Sequence, residues 1–412
     1  MSQPVFDESS PRYPGWRVVA ASSAGVFFAG ILVYGFAVLL GPISREFGWS
    51  RQSVSAAYST MAIVSAVCAP ALGVLLDRFG PRRVALPCLA LCGIGIASLS
   101  ALTASHAHMY GVFAAMGVAG PGVSALAYSG AVSTWFDARR GLALAVVISG
   151  GALGSISHPP AIEALVRAIG WRQACLIAGG STLLVGLPLV AAFVRERGAR
   201  RSTEPAQAIG ASAVAALRSW WLWVLLLVIG AATIAVNGII VHLPSLLTDR
   251  GFSPQHGALA LSAMGVASLA GRLLTGLLVD RFRAPTVSSI LLATAAGGIT
   301  LLARSTSFEA GLAAVVLIGF GLGGELDITP FLLTRYFGLR AVSTLYGIAW
   351  TTMGLAGAIG PFLMGRAFDR TGSYDALLHW LALATVTAAA LMLTLPVHTL
   401  RTRKQPVAAT RG

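Results

Sequence analysis

The chain has 412 residues, of which 56% are hydrophobic and only 11% are charged. Soluble domains carry about 25% charged residues, so this composition excludes an ordinary soluble enzyme and indicates a membrane protein. The net charge of +14 does not indicate a nucleic-acid partner, because the basic residues are scattered through short loops and form no basic face with interleaved aromatic side chains.

Long apolar stretches follow one another along the whole chain. An α-helix that crosses a bilayer needs about 20 apolar residues. The predicted spans 1 to 12 cover residues 17–40, 54–76, 84–104, 109–134, 142–168, 171–194, 220–247, 256–279, 286–303, 310–333, 342–367 and 376–397. We therefore expect one six-helix bundle over residues 1–194 and another over 220–398, with a cytoplasmic linker at 195–219 and a cytoplasmic tail at 399–412.

Arginine and lysine residues favour one side of these spans. The N-terminal segment, the loops after even-numbered spans and the C-terminal tail hold twenty of them, against eight in the loops after odd-numbered spans. Cytoplasmic loops of membrane proteins are enriched in these residues. We therefore expect a multi-pass protein of the bacterial inner membrane with both termini in the cytoplasm, functional as a monomer.

A sequence repeat divides the spans into two sets. Gly73-Val-Leu-Leu-Asp77-Arg78-Phe79 returns 203 residues later as Gly276-Leu-Leu-Val-Asp280-Arg281-Phe282. The same offset relates Tyr34-Gly35 in span 1 to Asn237-Gly238 in span 7. A repeat of this length in a membrane protein predicts two homologous halves. The expected fold is an all-α membrane protein with twelve transmembrane helices in two pseudo-symmetric six-helix bundles.

Three motifs resemble those of a known transporter family. Residues 73–83, GVLLDRFGPRR, resemble the signature loop between spans 2 and 3 of the major facilitator superfamily. Residues 15–19, GWRVV, and 135–145, WFDARRGLALA, resemble the monocarboxylate transporters and the oxalate:formate antiporters within it. The resemblance covers essentially the whole chain and implies the major facilitator fold and transport by alternating access.

The loop after span 2 is interpreted as a gate. Asp77 lies at the predicted cytoplasmic mouth, where it can cap a helix or pair with the facing half until the contact breaks. Its neighbours Arg78, Gly80, Arg82 and Arg83 are assigned to the same gating structure.

Arg272 is the charged residue that lies deepest in span 8. It precedes Asp280 by eight residues, which places it roughly 12 Å from the cytoplasmic end of the helix. A charge at that depth is costly and normally faces a water-filled cavity, and a guanidinium pairs bidentately with a carboxylate. The resemblance agrees, because both related groups bind substrate through an arginine in span 8. The alternative is a structural arginine neutralised by a neighbouring acid.

Two acids in span 10 are candidates for proton coupling. Glu325 and Asp327 lie roughly 15 and 12 Å from the cytoplasmic end, near the depth of Arg272. Residues two apart point about 200° from one another, so at most one faces the cavity. A carboxylate at this depth can exchange a proton, although a permanent ion pair with Arg272 or a loop arginine is the alternative. Animal monocarboxylate transporters have their coupling aspartate four residues before the span 8 arginine, where this chain has Ser268. The coupling residue implied by the resemblance is therefore absent, and the acids of span 10 are the candidates to replace it.

Further polar residues narrow the range of expected substrates. Tyr34 and Asn237 can hydrogen-bond a carboxylate or hydroxyl, or instead join helices. Oxalate:formate antiporters pair their span 8 arginine with a lysine in span 11, whereas the only lysine here is Lys404. One central cation favours a monoanion over a dicarboxylate.

These residues predict a transporter and not an enzyme. We expect symport of a small monocarboxylate, such as lactate or pyruvate, with a proton, and no catalytic residues, metal or cofactor. The alternatives are an exchanger of organic anions and, more remotely, a membrane receptor that senses carboxylates. An exchanger would need internal anion for uptake, whereas a symporter would respond to a pH gradient.

Overall fold

The computed structural model of the protein describes residues 8–10, 12–197, 212–338 and 342–395. Within these ranges it does not describe the side chains of residues 126, 280, 324–327, 330, 342 and 343.

Twelve long helices follow one another in the described chain. The first six are α1 (Gly15–Phe47), α2 (Arg51–Phe79), α3 (Pro81–Ala101), α4 (His106–Ser133), α5 (Arg140–Ile169) and α6 (Trp171–Phe193). After a short helix, Ala213–Leu217, come α7 (Trp220–Asp249), α8 (Pro254–Arg281), α9 (Ala284–Arg304), α10 (Phe308–Phe337), α11 (Val342–Thr371) and α12 (Asp375–Leu393). Eleven of these are long and apolar enough to cross a membrane, and α10 has a shorter described apolar part, Phe308–Gly323.

Serine residues begin four of the twelve long helices. The hydroxyl oxygens of Ser50, Ser105, Ser253 and Ser307 each accept a hydrogen bond from the backbone N–H three residues later. Such a cap satisfies an N–H group that has no partner in the first helical turn and stabilises the helix by about 1 kcal/mol. The starts of α2, α4, α8 and α10 are therefore encoded locally, and α2 begins three residues before its predicted apolar stretch.

Helix α1 departs from regular geometry near its centre. Residues Ile31–Gly35 form a π turn, a feature that often occurs at functional sites. Just before this turn, the ring nitrogen Nε2 of His158 donates a hydrogen bond to the carbonyl oxygen of Phe27 at 2.8 Å. His158 therefore supplies a partner for a backbone group beside the irregular turn, which is important where lipid offers none.

Each half of the chain buries its own apolar side chains. One hydrophobic core gathers residues from α1 to α6 and the other gathers residues from α7 to α12. Two residues cross over, since Val241 packs in the first core and Ala37 in the second. The halves thus pack internally and meet through α1, α2, α5, α7, α8 and α11.

Polar contacts join the halves at the end of the molecule where α2 begins, which we call the Arg51 end. The Arg51 guanidinium forms an ion pair with Asp249 and donates to the hydroxyl of Tyr374. Asp369 accepts the backbone N–H groups of Arg51 and Gln52 at 2.9 and 2.7 Å. We call Arg51, Asp249, Asp369 and Tyr374 the Arg51 cluster.

A second layer of contacts lies next to the cluster. The Ser55 hydroxyl lies 2.9 Å from Nε2 of His242, and the Ser59 hydroxyl donates to the carbonyl oxygen of Ala358 at 2.6 Å. At the opposite end, which we call the Asp77 end, a Cβ added at Gly73 or Gly276 would meet no described atom within 4 Å. Within the described residues, hydrogen bonds join the halves at the Arg51 end and midway along the helices.

Candidate functional site

A cavity of about 470 Å³ lies between the two halves. Residues of α1, α5, α7, α8, α10 and α11 line it, among them Tyr34, Asn237 and Arg272. Its volume falls in the range of about 300–1,000 Å³ that is typical of small-molecule sites. Three residues that were predicted separately from different spans therefore share one cavity.

Arg272 is held where α8 and α10 approach closely. A Cβ at Gly271 would collide with the carbonyl oxygen of Phe320, and a Cβ at Gly323 would collide with Ser268. These glycines let the two backbones touch, as small residues do in membrane helix pairs. The half-buried Arg272 donates from Nε to the carbonyl oxygen of Gly323 at 3.3 Å. This bond orients a guanidinium that carries five N–H donors in one plane.

Tyr34 faces Arg272 across the cavity. It lies in the π turn of α1 and lines the cavity together with Arg272 and Ser155. The three residues also line a side cavity of about 210 Å³ between α1, α4, α5 and α8. A hydroxyl and a guanidinium so placed can bind one carboxylate together.

Asn237 lines the cavity and also joins the halves. Its Oδ1 accepts a hydrogen bond from the Tyr58 hydroxyl at 3.3 Å, and its Nδ2 donates to the carbonyl oxygen of Thr233 at 3.1 Å. The neighbouring Gly238 lets α7 approach α11, because a Cβ there would lie 3.1 Å from the carbonyl oxygen of Gly360. Asn237 thus makes the helix-to-helix bond that was one of its two predicted roles, whereas its part in substrate binding stays a prediction.

The two span 10 acids are described only in part. The backbone at Glu325 and Asp327 is helical and belongs to α10, which packs against α8. Their side chains lie outside the described residues, so their part in proton coupling stays a prediction.

The gating residues lie at the Asp77 end, away from the cavity. Asp77, Arg78, Arg82 and Arg83 are exposed there. Gly80 ends α2 with a φ of +83°, a backbone conformation that favours glycine.

Contacts of this loop run to α6 and the residues that follow it, in the same half. A Cβ at Gly80 would lie 2.7 Å from the carboxylate of Glu196, and Arg82 donates to the carbonyl oxygen of Ala191 at 2.6 Å. The loop is thus tied to its own bundle, and its gating role stays a prediction.

Several cavity residues were not identified from the sequence. Tyr58, Ser155 and Trp350 all border the space between the halves. Trp350 carried the clearest signal, because tryptophan favours the membrane interface and this one lies inside predicted span 11. Tyr58 and Ser155 carried no comparable signal, since their neighbours are set by how the halves pack.

Comparison with known proteins identifies a family whose model matches most of the chain. The model of the Major Facilitator Superfamily matches residues 22–361. Bovine (Bos taurus) monocarboxylate transporter 13 is 25% identical over 88% of this chain and 84% of its own length. Human (Homo sapiens) monocarboxylate transporter 11 is 26% identical over 89% and 80%, and a probable sulfoacetate transporter, SauU, of Cupriavidus necator is 26% identical over 81% and 82%.

A solved structure shares the fold. It is the crystal structure of a bacterial homolog of the human lysosomal transporter Spinster, in an inward-facing and occupied conformation. The TM-score is 0.74 at 16% identity, over 93% of this chain and 97% of that one. The match confirms the predicted fold of two six-helix bundles.

Proposed function

Because the chain belongs to the major facilitator superfamily, whose model matches residues 22–361, we propose that it is a proton-coupled symporter of small monocarboxylates of the lactate or pyruvate type. The observation that carries the proposal is Arg272 in the central cavity. Among the described lining residues of that cavity, it is the one charged side chain. The monocarboxylate transporters among its relatives support the same substrate class.

The substrate carboxylate binds Arg272 in this proposal. A carboxylate and a guanidinium form two parallel charged hydrogen bonds, which fix the orientation of the acid as well as its position. Tyr34 and Asn237 contribute a hydroxyl and an amide from the facing helices α1 and α7. With one central cation, binding favours a single negative charge.

Transport follows from alternating contact between the halves. We interpret the described state as inward-facing in the inner membrane, with the Arg51 cluster closing the outer end and the Asp77 end directed at the cytoplasm. The reverse state requires the Arg51 cluster to break and the residues around Asp77, Arg78, Gly80, Arg82 and Arg83 to meet the second half. Glu325 or Asp327 carries the proton, close in sequence to the Gly323 carbonyl that holds Arg272.

Uptake by proteoliposomes tests the proposal. Labelled lactate, pyruvate and oxalate are offered with and without an inward proton gradient to wild type, Arg272→Gln and Arg272→Lys. Charged hydrogen bonds contribute roughly 1.5–3 kcal/mol, so we expect KM to rise on the order of 10- to 100-fold in Arg272→Gln. Arg272→Lys is expected to recover part of this loss, because lysine keeps the charge without the planar fork.

Arg304→Gln is the matched control, since Arg304 is exposed at the end of α9. Unchanged uptake in Arg272→Gln would contradict the proposed site. Wild-type uptake that requires internal anion and ignores the proton gradient would instead indicate exchange of organic anions.

A further inference from the structure

The Arg272 cavity adjoins a second space of about 410 Å³. The two share five lining residues, which are Val26, Val33, Val236, Asn237 and Trp350. The second space extends from this shared wall toward α2, α4 and α11, where Met61, Met116 and Met353 line it. We call it the apolar lobe.

The lining of the apolar lobe is electrically neutral. Among its described lining residues there is no charged side chain. Two of its hydroxyls donate to carbonyl oxygens of their own chain segment, since Thr233 bonds Ile229 at 2.7 Å and Ser124 bonds Pro121 at 2.9 Å. The Tyr58 hydroxyl is likewise used, on Asn237. Apart from the hydroxyl of Ser65 and the amide of Asn237, the surface that remains is apolar and suited to a hydrocarbon body.

Methionine gives this lining an adaptable shape. Three of the eight methionines in the chain line the lobe. Their unbranched side chains adjust to apolar ligands of different outline. A cationic pocket on one side and an adaptable apolar pocket on the other match a molecule with a carboxylate at one end and a hydrocarbon group at the other.

We infer that the preferred substrates are monocarboxylates with a sizeable apolar body, such as aromatic or branched-chain 2-oxo acids, with the carboxylate on Arg272 and the body in the apolar lobe. This inference rests on the proposed function and shifts the preferred substrate from the smallest monocarboxylates to larger ones. A molecule as small as lactate, bound at Arg272, would not fill the lobe, which would then hold water. Each methylene buried there tightens binding about fourfold, so longer acids gain over shorter ones.

A series of acids that differ only in the apolar body tests the inference. Uptake of labelled pyruvate and phenylpyruvate is measured in proteoliposomes, and both are competed with 2-oxobutyrate and 4-methyl-2-oxopentanoate. We expect KM to fall at least tenfold from pyruvate to phenylpyruvate. The inhibition constant of the branched acid, 4-methyl-2-oxopentanoate, is expected to lie between these two KM values. Equal KM values across an Arg272-dependent series would overturn the inference and leave the proposed function intact. Loss of Arg272 dependence for every acid would overturn the proposed function, and the inference with it.

A substitution that fills the lobe separates it from the carboxylate site. Ala62 lines the lobe, whereas its neighbour Ile63 is 44% exposed on another face of α2. Ala62→Phe is expected to abolish the preference for phenylpyruvate and to retain pyruvate uptake, whereas Ile63→Phe retains both. If Ala62→Phe does not fold, Met353→Ala enlarges the lobe and is expected to shift the preference further toward large acids. An unchanged preference in a folded lobe variant would contradict the inference.

Discussion

The hydroxyl of Tyr34 lies at the proposed substrate site. The residue lies in the π turn of α1, and Arg272 and Ser155 line the same cavity. Tyr34→Phe removes the hydroxyl and keeps the ring. A neutral hydrogen bond contributes about 1 kcal/mol, so we expect KM for the transported acid to rise about fivefold while the thermal midpoint of the purified protein stays the same.

A second tyrosine supplies the control. Tyr128 is fully buried, and its hydroxyl has no hydrogen-bond partner among the described residues. Tyr128→Phe therefore removes the same atom without removing a bond, and KM is expected to stay at the wild-type value. An equal rise of KM in both variants would remove the case for a specific contact at Tyr34.

Single residues differ in how far sequence alone can locate them. Arg272 could be picked out because a charge inside an apolar run is conspicuous, and the structure shows that it lines the cavity between the halves. Tyr58 was missed because an uncharged residue near the end of a span can face lipid, its own bundle or the other half. That choice depends on contacts between residues far apart in sequence, here its bond with Asn237.

At the scale of helices, the α8–α10 contact positions the arginine. The Gly271 backbone lies against the carbonyl oxygen of Phe320, so Gly271→Ala forces the two helices apart. Overpacking of this kind costs about 1–3 kcal/mol. We expect a lower thermal midpoint and reduced uptake.

Gly276 lies further along the same helix and makes a matched comparison. A Cβ there would meet no described atom within 4 Å. Gly276→Ala is expected to leave both the midpoint and uptake unchanged. If Gly276→Ala is as harmful as Gly271→Ala, the loss comes from helix α8 itself and not from its contact with α10.

The Arg51 cluster connects the ends of α2, α7 and α11. Because Arg51 bonds Asp249 and Tyr374, its side chain opposes separation of the halves at this end. Burial raises the pKa of the Tyr374 hydroxyl, which therefore stays neutral at physiological pH and can accept the Arg51 N–H. We expect Arg51→Gln to shift the population toward the state that is open at this end.

Thiol labelling measures that shift. Ser55 is buried directly beside the cluster, so a cysteine placed there, with the four native cysteines replaced, reports access from the Arg51 end. We expect an impermeant reagent to label it about tenfold faster in the Arg51→Gln background. The background Arg304→Gln, at the end of α9, should not change the rate, and equal rates in all backgrounds would show that the cluster does not hold this end closed.

At the scale of the whole molecule, the two hydrophobic cores follow the two halves of the repeat. We therefore propose that residues 1–194 and 220–398 are separate domains joined by the predicted linker 195–219. Two polypeptides divided within this linker and expressed together are expected to assemble and restore most of the uptake. Coexpression is compared with each half alone, and failure of the pair to assemble would show that the covalent connection is required.

The global architecture was the most predictable property of this chain. Apolar length defines a spanning helix, and the repeat from Gly73 to Gly276 reveals the duplication. The repeat could not reveal where the halves differ. Tyr34 lies in a π turn, whereas the corresponding Asn237 lies in regular helix, because local hydrogen bonding and not sequence offset decides the geometry.

The apolar lobe lies against α2 and α11, two helices that contact one another across the halves. In the proposed transport cycle, a ligand in the lobe therefore touches the contact along which the two bundles move. We expect an acid that fits the lobe to be enclosed and released. We expect an acid too large for the lobe to hold α2 and α11 apart and so to inhibit transport, which makes the outline of the lobe a guide to the shape of an inhibitor.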